Sequence, residues 1–433
     1  MQAPSIPQVL GGMMTRYLKN KLSVGLFTDT YTPSINGVVS SVRGLAETLR
    51  EQGHQVTIVA PKHPEQQDEL DVIRIRSTTY RPIPEHRMAL LPSPRKLRLM
   101  QSRRFDVIHT HGNGPLPVLG LALARTWETA LLHTYHTRMQ DYLHYYPWYP
   151  VLNRLAGPDH WYMNELRSRT LKKRIDASTA LIAERFDVWF ANRCHYLITP
   201  TSVIKNELLE AGVKAPIAVV PNGIPISRLR VPRTDPLPHL PRGERLLTIS
   251  RLGKEKSVDF LLQHLAPLLR ERPNGRLILV GDGPERQNLE AQAEQLGIRS
   301  QLVFTGYVKP EQVADYYQHA DVFVFASVTE TQGMVALEAQ ACGLPVVARA
   351  GGGVTTTIEH GKTGYLVDPE HPEEFRLRVE DVLQAGKPTF ADELTRWVDA
   401  EGSLETMAKR ILMCYELALT RKYDPPRISL DLK

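Results

Sequence analysis

Short apolar runs separated by amphipathic segments follow one another along most of the chain. The first unit has an apolar run at residues 22–28, then a loop, then apolar residues at helical spacing over residues 38–49. A second apolar run, at residues 55–59, stops at Pro61. A strand, a crossover helix and a second strand of these lengths form a βαβ unit. This unit predicts a parallel sheet with helices packed on its faces.

The alternation continues to about residue 348 and falls into two similar halves. Proline-rich residues 225–243 separate the halves and predict an interdomain connection. We therefore predict an α/β fold with two Rossmann-like, doubly wound parallel-sheet domains and a cleft between them, where such sheets bind ligands. The other apolar runs, each interpreted as a strand, lie at residues 105–109, 129–133, 196–199, 217–220, 245–250, 276–280, 301–304, 322–325 and 345–348.

The length of 433 residues supports this division, because a single hydrophobic core stops growing near ~250–300 residues. A final helix over about residues 403–421 is expected to pack back across the junction. The predicted parts are an N-terminal extension at 1–20, a first domain at 21–226, a linker at 227–244, a second domain at 245–402 and a C-terminal helical segment at 403–433.

Composition indicates a globular chain that does not span a bilayer. With 42% hydrophobic and 23% charged residues, the chain has no apolar run that approaches the ~18–20 residues of a membrane span. The first twenty residues lack the apolar core and cleavage site of a secretory signal. The three cysteines are widely separated, which favours reduced thiols and gives no zinc-binding spacing. We expect a cytoplasmic protein.

The net charge of +6 is unevenly distributed along the chain. Residues 1–226 contain 27 Lys and Arg against 18 Asp and Glu, a net +9, whereas the remainder contains 26 against 29, a net −3. A basic half indicates an anionic membrane surface or nucleic acid as partner. A solvated basic face is an equally good interpretation of charge alone.

Residues 327–338 are the most informative stretch of the chain. Glu330 follows a predicted strand, Gly333 opens a turn, and Glu338 lies about one turn into the next predicted helix. Open N–H groups at a helix N-terminus bind anions, and an acidic residue there can accept hydrogen bonds from ribose hydroxyls. By spacing alone, Glu338 is equally well explained as a residue that stabilises the helix N-terminus.

Two cationic residues follow the first strand of the second half. Arg251 comes directly after that strand and Lys256 five residues later. A guanidinium fork and an ammonium at the carboxyl end of a strand suit a diphosphate. The glycine turns at 281–283 and 351–353 are more typical of tight turns than of phosphate cradles, because the rest of a dinucleotide-binding pattern is missing.

Several histidines of the first half lie near predicted strand ends. A metal site is one interpretation, but no carboxylate or second histidine stands at a convincing ligand spacing. We therefore predict no metal site. The residues concerned are His109, His111, His133, His136 and His144.

Together these residues resemble the retaining nucleotide-sugar glycosyltransferases of family four, which have the GT-B fold. The resemblance covers residues 21–415, and the stretch 133–146 is similar, more narrowly, to bacterial diacylglycerol glucosyltransferases, although residues 138–140 differ from their pattern. It is carried by Glu330 and Glu338 with seven residues between them, Arg251 with Lys256, Gly37 in Pro-Ser-Ile-Asn-Gly-Val, and His136 in His-Thr-Tyr-His-Thr.

The resemblance implies a role for each of these positions. Glu338 would bind the ribose of the donor nucleotide, and Glu330 would contact the transferred sugar. Arg251 and Lys256 would stabilise the departing diphosphate, which Gly37 would allow to approach closely. His136 would orient the sugar or the attacking hydroxyl. Phosphate and sugar oxygens would be held by the backbone N–H groups of Gln332, Gly333, Met334 and Val335.

The reaction implied by the resemblance needs no cofactor or metal ion. Breaking the anomeric C–O bond leaves negative charge on the diphosphate, so fixed cations and N–H donors stabilise the transition state. Retention without a clear nucleophile implies that the acceptor attacks from the leaving-group face. A diphosphate oxygen would then take the acceptor's proton.

A basic segment and an aromatic segment indicate contact with a membrane. Residues 93–105 predict a helix with Leu97, Met100 and Arg104 roughly on one side, and such a basic amphipathic helix is typical of a membrane-surface element. Tyr145 and Trp148 lie in an aromatic string suited to the headgroup region. A solvated helix face remains the alternative. The basic residues of the first segment are Arg95, Lys96, Arg98, Arg103 and Arg104.

We therefore expect a retaining hexosyltransferase that uses a nucleotide diphosphate sugar, with uridine favoured, and a lipid acceptor such as diacylglycerol or a glycosylated diacylglycerol. It would lie peripherally on the inner face of the cell membrane and would not bind nucleic acid. The alternatives are a transferase with a water-soluble sugar or polysaccharide acceptor, a nucleotide-sugar epimerase, and a non-catalytic basic protein that binds membrane or nucleic acid.

Overall fold

The computed structural model describes residues 21–79, 87–138, 181 and 183–421. These residues form two α/β domains, each with a parallel sheet covered by helices, which confirms the predicted fold class. The predicted N-terminal extension, Tyr145 and Trp148 lie outside the described residues.

The first domain is built on a sheet whose central strands are buried on both faces. A small antiparallel pair of strands, formed by residues 77–79 and 87–89, lies beside it. The described strands of this domain are β1 (Ser23–Thr28), β2 (Gln55–Pro61), β3 (Val72–Ile75), β4 (Ser77–Thr79), β5 (Arg87–Ala89), β6 (Val107–His111), β7 (Ala130–Thr134), β8 (Tyr196–Thr199) and β9 (Ile217–Val219). The parallel sheet has the order β3-β2-β1-β6-β7-β8-β9.

Helices cover both faces of this sheet, and capping side chains mark where they begin. The side chain of Asn36 accepts a hydrogen bond from the backbone N–H of Val39 at 3.0 Å, so the first helix starts directly after the loop that follows β1. Residues 183–191 are also helical. The helix capped by Asn36 is α1 (Gly37–Glu51), and the other named helices of this domain are α2 (Pro94–Ser102), α3 (Pro115–Thr126) and α4 (Ser202–Glu210).

The second domain repeats the arrangement with a six-stranded sheet in the order β12-β11-β10-β13-β14-β15. Its strands are β10 (Arg245–Ile249), β11 (Arg276–Val280), β12 (Leu302–Gly306), β13 (Val322–Phe325), β14 (Val346–Arg349) and β15 (Gly364–Val367). Its helices are α5 (Ile226–Leu229), α6 (Val258–Glu271), α7 (Arg286–Gln295), α8 (Val313–His319), α9 (Met334–Ala341), α10 (Glu374–Ala385) and α11 (Ala391–Glu401).

Within the described residues the chain crosses between the domains twice, and the two crossings lie side by side. The backbone N–H of Ile224 donates to the carbonyl oxygen of Gly402 at 2.8 Å. A Cβ at Gly223 would come within 2.4 Å of the carbonyl oxygen of Ser403, so glycine is required for this close approach. The last helix, α12 (Leu404–Arg421), then packs on α1 and buries Tyr415 in the core of the first domain.

The proline-rich stretch after the first crossing is attached to the second domain. The side chain of Arg245 donates to Asp235 at 2.8 Å, and Leu237 and Leu240 pack against a core cluster of that domain. Residues predicted as a linker therefore lie along the second domain, and the chain crosses slightly earlier, at residues 222–224.

Candidate active site

Each sheet has one point at which its strand order reverses, and the candidate residues follow the strands around it. β1 lies beside β6 in the first sheet, and β10 lies beside β13 in the second. Gly37 follows β1, whereas Arg251 and Lys256 follow β10 and Glu330 follows β13. In open α/β sheets this crevice is where ligands bind.

Lys256 and Glu330 form an ion pair between two loops of the second domain. The Nζ of Lys256 lies 2.5 Å from Oε1 of Glu330, and the hydroxyl of Ser327 donates to the same oxygen at 3.0 Å. Both charged side chains are about a fifth exposed, at 18% and 21%. Ser327 also donates to the carbonyl oxygen of Glu255 at 3.2 Å, which fixes one loop against the other.

The ion pair determines the charge of Glu330. Burial alone would raise the pKa of this carboxyl, but the attraction and hydrogen bond of Lys256 and the bond from Ser327 outweigh burial and lower its pKa. Glu330 is therefore a carboxylate at neutral pH and a weak base. It is suited to accepting hydrogen bonds from sugar hydroxyls.

The triple-glycine turn at 351–353 packs against the backbone of the loop that carries Glu330. The backbone N–H of Gly353 donates to the carbonyl oxygen of Glu330 at 2.6 Å, and a Cβ at Gly353 would lie 1.9 Å from the carbonyl oxygen of Thr331. Gly352 has a φ of 53°, and a Cβ there would lie 2.6 Å from the carbonyl oxygen of Glu330 in the same loop. These glycines are present because backbone packs on backbone.

The turn at 281–283 packs in the same way against the backbone of the loop that carries Arg251. A Cβ at Gly281 would lie 2.0 Å from the carbonyl oxygen of Ser250, and one at Gly283 would lie 2.4 Å from that of Leu252. Arg251 itself is half-buried directly after β10. Both glycine turns therefore act as supports for loops that carry the charged residues.

The N-terminus of α9 opens beside this cluster. Gly333 caps the helix with a φ of 84°, a conformation that favours glycine. The first amides of the helix, at Met334 and Val335, have no acceptor one turn earlier within the helix, as in any α-helix. Their N–H groups therefore suit an anion at this end of the helix.

The side chain of Gln332 is used to join the domains. Its Oε1 accepts from the backbone N–H of Asn222 at 2.7 Å and from the Asn222 side chain at 2.8 Å. Asn222 also accepts from the hydroxyl of Ser41 in α1 at 2.8 Å. The side chain of Gln332 is buried in this network. The ligand contact predicted at Gln332 would therefore use its backbone N–H group.

Glu338 lies further along α9 and points toward α8. The hydroxyl of Tyr317 donates to its Oε2 at 3.0 Å. Burial raises the pKa of Glu338 to about 7, and the hydrogen bond from Tyr317 only partly offsets that rise. The carboxyl of Glu338 is thus separate from the Lys256–Glu330 ion pair. Its pKa is raised, whereas that of Glu330 is lowered.

Gly37 faces α9 from the first domain. An added Cβ there would meet only the Cγ of Met334, at 3.7 Å, which is an ordinary contact. Its backbone conformation does not require glycine. The close approach that we expect at this position would therefore involve a ligand between the domains.

His136 lies at the junction of the two domains. The hydroxyl of Thr331 donates to the backbone carbonyl oxygen of His136 at 2.8 Å, and the hydroxyl of Thr201 donates to the carbonyl oxygen of Thr331 at 3.1 Å. Thr331 is the neighbour of Glu330, so the structure brings the two predicted catalytic loops into direct contact. Burial lowers the pKa of His136 to about 4, which keeps the ring neutral.

The other buried histidines have protein partners. His109 contacts the hydroxyl of Tyr415 at 2.9 Å and that of Thr134 at 2.7 Å, and His133 contacts the hydroxyl of Thr110 at 3.0 Å. Over the part of the chain that the structure describes, no group of three His, Cys, Asp or Glu side chains could hold a metal ion. His144 lies outside that part.

The side of the basic helix α2 that carries Leu97 and Met100 faces the protein, which differs from the prediction. Met100 is fully buried and Leu97 packs against the core of the first domain, because this apolar side covers β3 and its neighbours. The apolar side of this helix, interpreted above as typical of a membrane-surface element, therefore faces the protein. Arg95, Arg98 and Arg104 are exposed, Lys96 is half-buried, and Arg103 lies 3.9 Å from Asp71. Leu90, Leu91 and Leu99 are exposed nearby.

Sequence reasoning missed the residues that position the site. Ser327, Thr331 and Tyr317 each bond to a residue or loop of the site, yet hydroxyl residues carry no distinctive spacing. Asp29, directly after β1, accepts from the backbone N–H groups of Gly114 and Leu116 at 2.7 and 3.0 Å.

Among described helices none is both long and apolar enough to cross a bilayer.

Two Rossmann-like domains with cations, a helix N-terminus and separate carboxylates around the intervening cleft define the class of nucleotide-sugar transferases with the GT-B fold. The family profile described as Glycosyltransferase Family 4 matches residues 35–228, and that described as Glycosyl transferases group 1 matches residues 237–397.

Known proteins agree with this class. Alpha-monoglucosyldiacylglycerol synthase of Streptococcus pneumoniae is 31% identical over 361 residues, which cover 81% of this chain and 76% of that protein. The protein of the same name from Acholeplasma laidlawii is 29% identical, covering 79% and 84%. The crystal structure of Anabaena HepE in complex with UDP has a TM-score of 0.67 at 18% identity, covering 91% of this chain and 99% of that one. The chain belongs to glycosyltransferase family 4 and is a glycosyltransferase.

Proposed function

We propose that this enzyme transfers a hexose, with retention, from a uridine diphosphate sugar to diacylglycerol or a glycosylated diacylglycerol at a membrane surface. The observation that carries the acceptor is the 31% identity with alpha-monoglucosyldiacylglycerol synthase over 81% of the chain. The donor class rests on the family and on the cluster of Lys256, Glu330 and the α9 N-terminus at the cleft.

In the proposed reaction the donor's diphosphate lies against Arg251, Lys256 and the amides of Gly333 to Val335. The anomeric C–O bond breaks, and negative charge develops on a diphosphate oxygen that these donors stabilise. The acceptor hydroxyl attacks from the same face and its proton passes to that oxygen. Glu330 accepts hydrogen bonds from the transferred sugar, because its lowered pKa makes it a poor base. We propose that no metal ion takes part.

The membrane contact would use the exposed side of α2 and the leucines next to it. Arg95 and Arg98 point to solvent, and Leu91 is 90% exposed. Exposed cations attract an anionic bilayer, and apolar side chains beside them enter the headgroup region. The buried Leu97 and Met100 are not part of this surface. In this proposal the enzyme is peripheral and α2 lies against the lipid.

The decisive experiment is a donor-by-acceptor screen with mass-spectrometric detection. The donors are UDP-glucose, UDP-galactose and GDP-mannose, each tested with diacylglycerol in vesicles, with glycosylated diacylglycerol in vesicles, and with soluble sugars. We expect a glycolipid product from a UDP-hexose, with EDTA having no effect. A product only on soluble sugars would favour the alternative acceptor, conversion of the donor alone would favour an epimerase, and no turnover of any donor would contradict the proposal.

A charge variant tests the membrane surface. The triple substitution Arg95→Gln, Lys96→Gln and Arg98→Gln removes three charges without introducing a helix breaker. We expect it to weaken sedimentation with anionic vesicles by roughly 100-fold at low salt, since each cation contributes about 1 kcal/mol. The matched control removes Arg299, Lys362 and Arg396, which are exposed in the second domain. Equal binding by the two variants would refute this surface.

A further inference from the structure

His111 and His136 form a buried imidazole pair at the ends of β6 and β7. The Nδ1 of His111 lies 2.9 Å from the Nε2 of His136, and the rings stack with centroids 5.2 Å apart and planes 26° apart. The side chains are 1% and 8% exposed. One ring nitrogen of His136 is thus committed to His111, so a ligand in the cleft can meet only its Nδ1.

The pair must share its protons in one of two ways. Burial keeps both pKa values low, and neighbouring histidines lower that of His111 further, so each ring is neutral and carries one proton. Either His111 donates from Nδ1 to Nε2 of His136, or His136 donates from Nε2 to Nδ1 of His111. The first arrangement leaves the proton of His136 on Nδ1, and the second leaves a lone pair there.

The other nitrogen of His111 decides between them. Its Nε2 is buried and finds no hydrogen-bond partner among the residues that the structure describes. In the second arrangement that nitrogen would carry a buried N–H without an acceptor, whereas in the first it would carry only a bare lone pair. Buried N–H groups without acceptors are the rarer of the two. The neighbouring His109 does not compete, because Tyr415 and Thr134 occupy both of its nitrogens.

We propose that His111 is a positioning residue that fixes the tautomer of His136, so that His136 presents an Nδ1–H donor to the bound nucleotide sugar. This inference rests on the proposed function and deepens it. A donor at this place bonds an oxygen of the transferred sugar or of the leaving phosphate. It cannot accept the proton of the attacking alcohol, which agrees with the proposed transfer of that proton to the diphosphate.

Nuclear magnetic resonance observes the tautomer without any substrate. Full-length protein with ¹⁵N-labelled histidine gives long-range ¹H–¹⁵N correlations that distinguish Nδ1–H from Nε2–H. The signals of His136 and His111 are assigned by their disappearance in His136→Asn and His111→Asn. We expect His136 to be protonated on Nδ1 and His111 on Nδ1. An Nε2–H tautomer at His136 would overturn the proposal whether or not the lipid acceptor is correct.

Two substitutions separate the hydrogen bond from the space that the ring fills. His111→Phe retains a ring and removes the donor, and should lower kcat/KM by three- to ten-fold, the effect of one buried hydrogen bond. His111→Asn carries an amide nitrogen the same number of bonds from Cα as Nδ1, and should restore kcat/KM to within about two-fold of wild type. Equal losses in both variants would contradict a tautomer-fixing role.

His133→Phe is the matched control. His133 is equally buried on the next strand and bonds the hydroxyl of Thr110, but it forms no hydrogen bond with His136. We expect it to lower the melting temperature by as much as His111→Phe while leaving kcat/KM within two-fold. A parallel loss of activity in this control would assign the effect of His111→Phe to general loosening of the sheet, and would count against the proposal.

Discussion

Glu338 is expected to reduce the stability of the folded protein at neutral pH, and Glu338→Gln should reveal it. Burial raises the pKa of this carboxyl from its ordinary 4.5 to about 7, with one hydrogen bond from Tyr317 acting against the rise. Between these two values the folded protein holds a proton that the unfolded chain has released. Stability therefore falls as pH rises through this window.

The size of the effect follows from the two pKa values. The linkage relation gives a cost of about 3 kcal/mol at pH 8 and about 1 kcal/mol at pH 5. A glutamine removes this cost and leaves a neutral amide beside Tyr317, whose burial costs about 1 kcal/mol. We expect Glu338→Gln to be more stable than wild type by about 2 kcal/mol at pH 8 and equal to it at pH 5.

Thermal unfolding at the two pH values provides the measurement. A domain of this size shifts its melting temperature by about 2–4 °C per kcal/mol, so the variant should melt about 5 °C higher at pH 8. Glu330→Gln is the matched control with the opposite sign. The folded-state pKa of Glu330 is lowered, so its carboxylate stabilises the fold above the unfolded pKa and that contribution is lost as pH falls. Removing it should lower the melting temperature at pH 8.

Donor binding completes the test. UDP raises the melting temperature of a protein that binds it in the folded state. If Glu338 accepts hydrogen bonds from the ribose, Glu338→Gln should lose most of that rise while gaining stability without ligand. A variant that is less stable than wild type at both pH values would refute the assigned pKa. A variant that keeps the full response to UDP would refute the ribose contact.

Three further substitutions follow from the same geometry. Tyr317→Phe removes the hydrogen bond that lowers the pKa of Glu338, so the pH at which UDP affinity is half-maximal should rise, as measured by titration calorimetry between pH 6 and 9. Gly353→Ala places a Cβ 1.9 Å from the carbonyl oxygen of Thr331, and should weaken UDP binding at least ten-fold as the Glu330 loop shifts; unchanged binding would contradict this support role. Thr331→Val removes the hydroxyl bond to His136 and should lower kcat more than it raises the Kd of UDP, in steady-state and equilibrium measurements, because it loosens the contact between the domains.

The fold was largely predictable because its strands are short apolar runs at regular spacing. Every run predicted as a strand coincides at least in part with one, including 129–133, where the pattern is less clear. The missed strands have weaker patterns: β3 alternates with Arg74, β15 begins at Gly364, and β4 and β5 are each only three residues long. The interdomain crossing was placed too late, since prolines indicate a lack of regular structure and not which domain holds the segment.

The site was predictable where a charge or a glycine follows a strand, and not where a contact joins distant segments. Gln332 and Asn222 are 110 residues apart and meet only because the two domains do. Which side of α2 faces the protein is another feature that depends on contact between distant segments. Its apolar residues give the same pattern whether they face lipid or protein, and the neighbouring strand β3, which they cover, was itself not predicted.

Contacts between the two domains converge on Thr331, the residue next to Glu330. Thr331 donates to His136 through its side chain and accepts from Thr201 through its carbonyl, so both segments of the first domain are held by the residue next to Glu330. A ligand that moves the Glu330 loop must therefore move His136 with it. The triple-glycine turn opposes such movement from the other side, because its backbone already touches that loop. The histidine donor and the carboxylate should thus reach a bound sugar as one unit, and the sugar's position should follow from how the domains close.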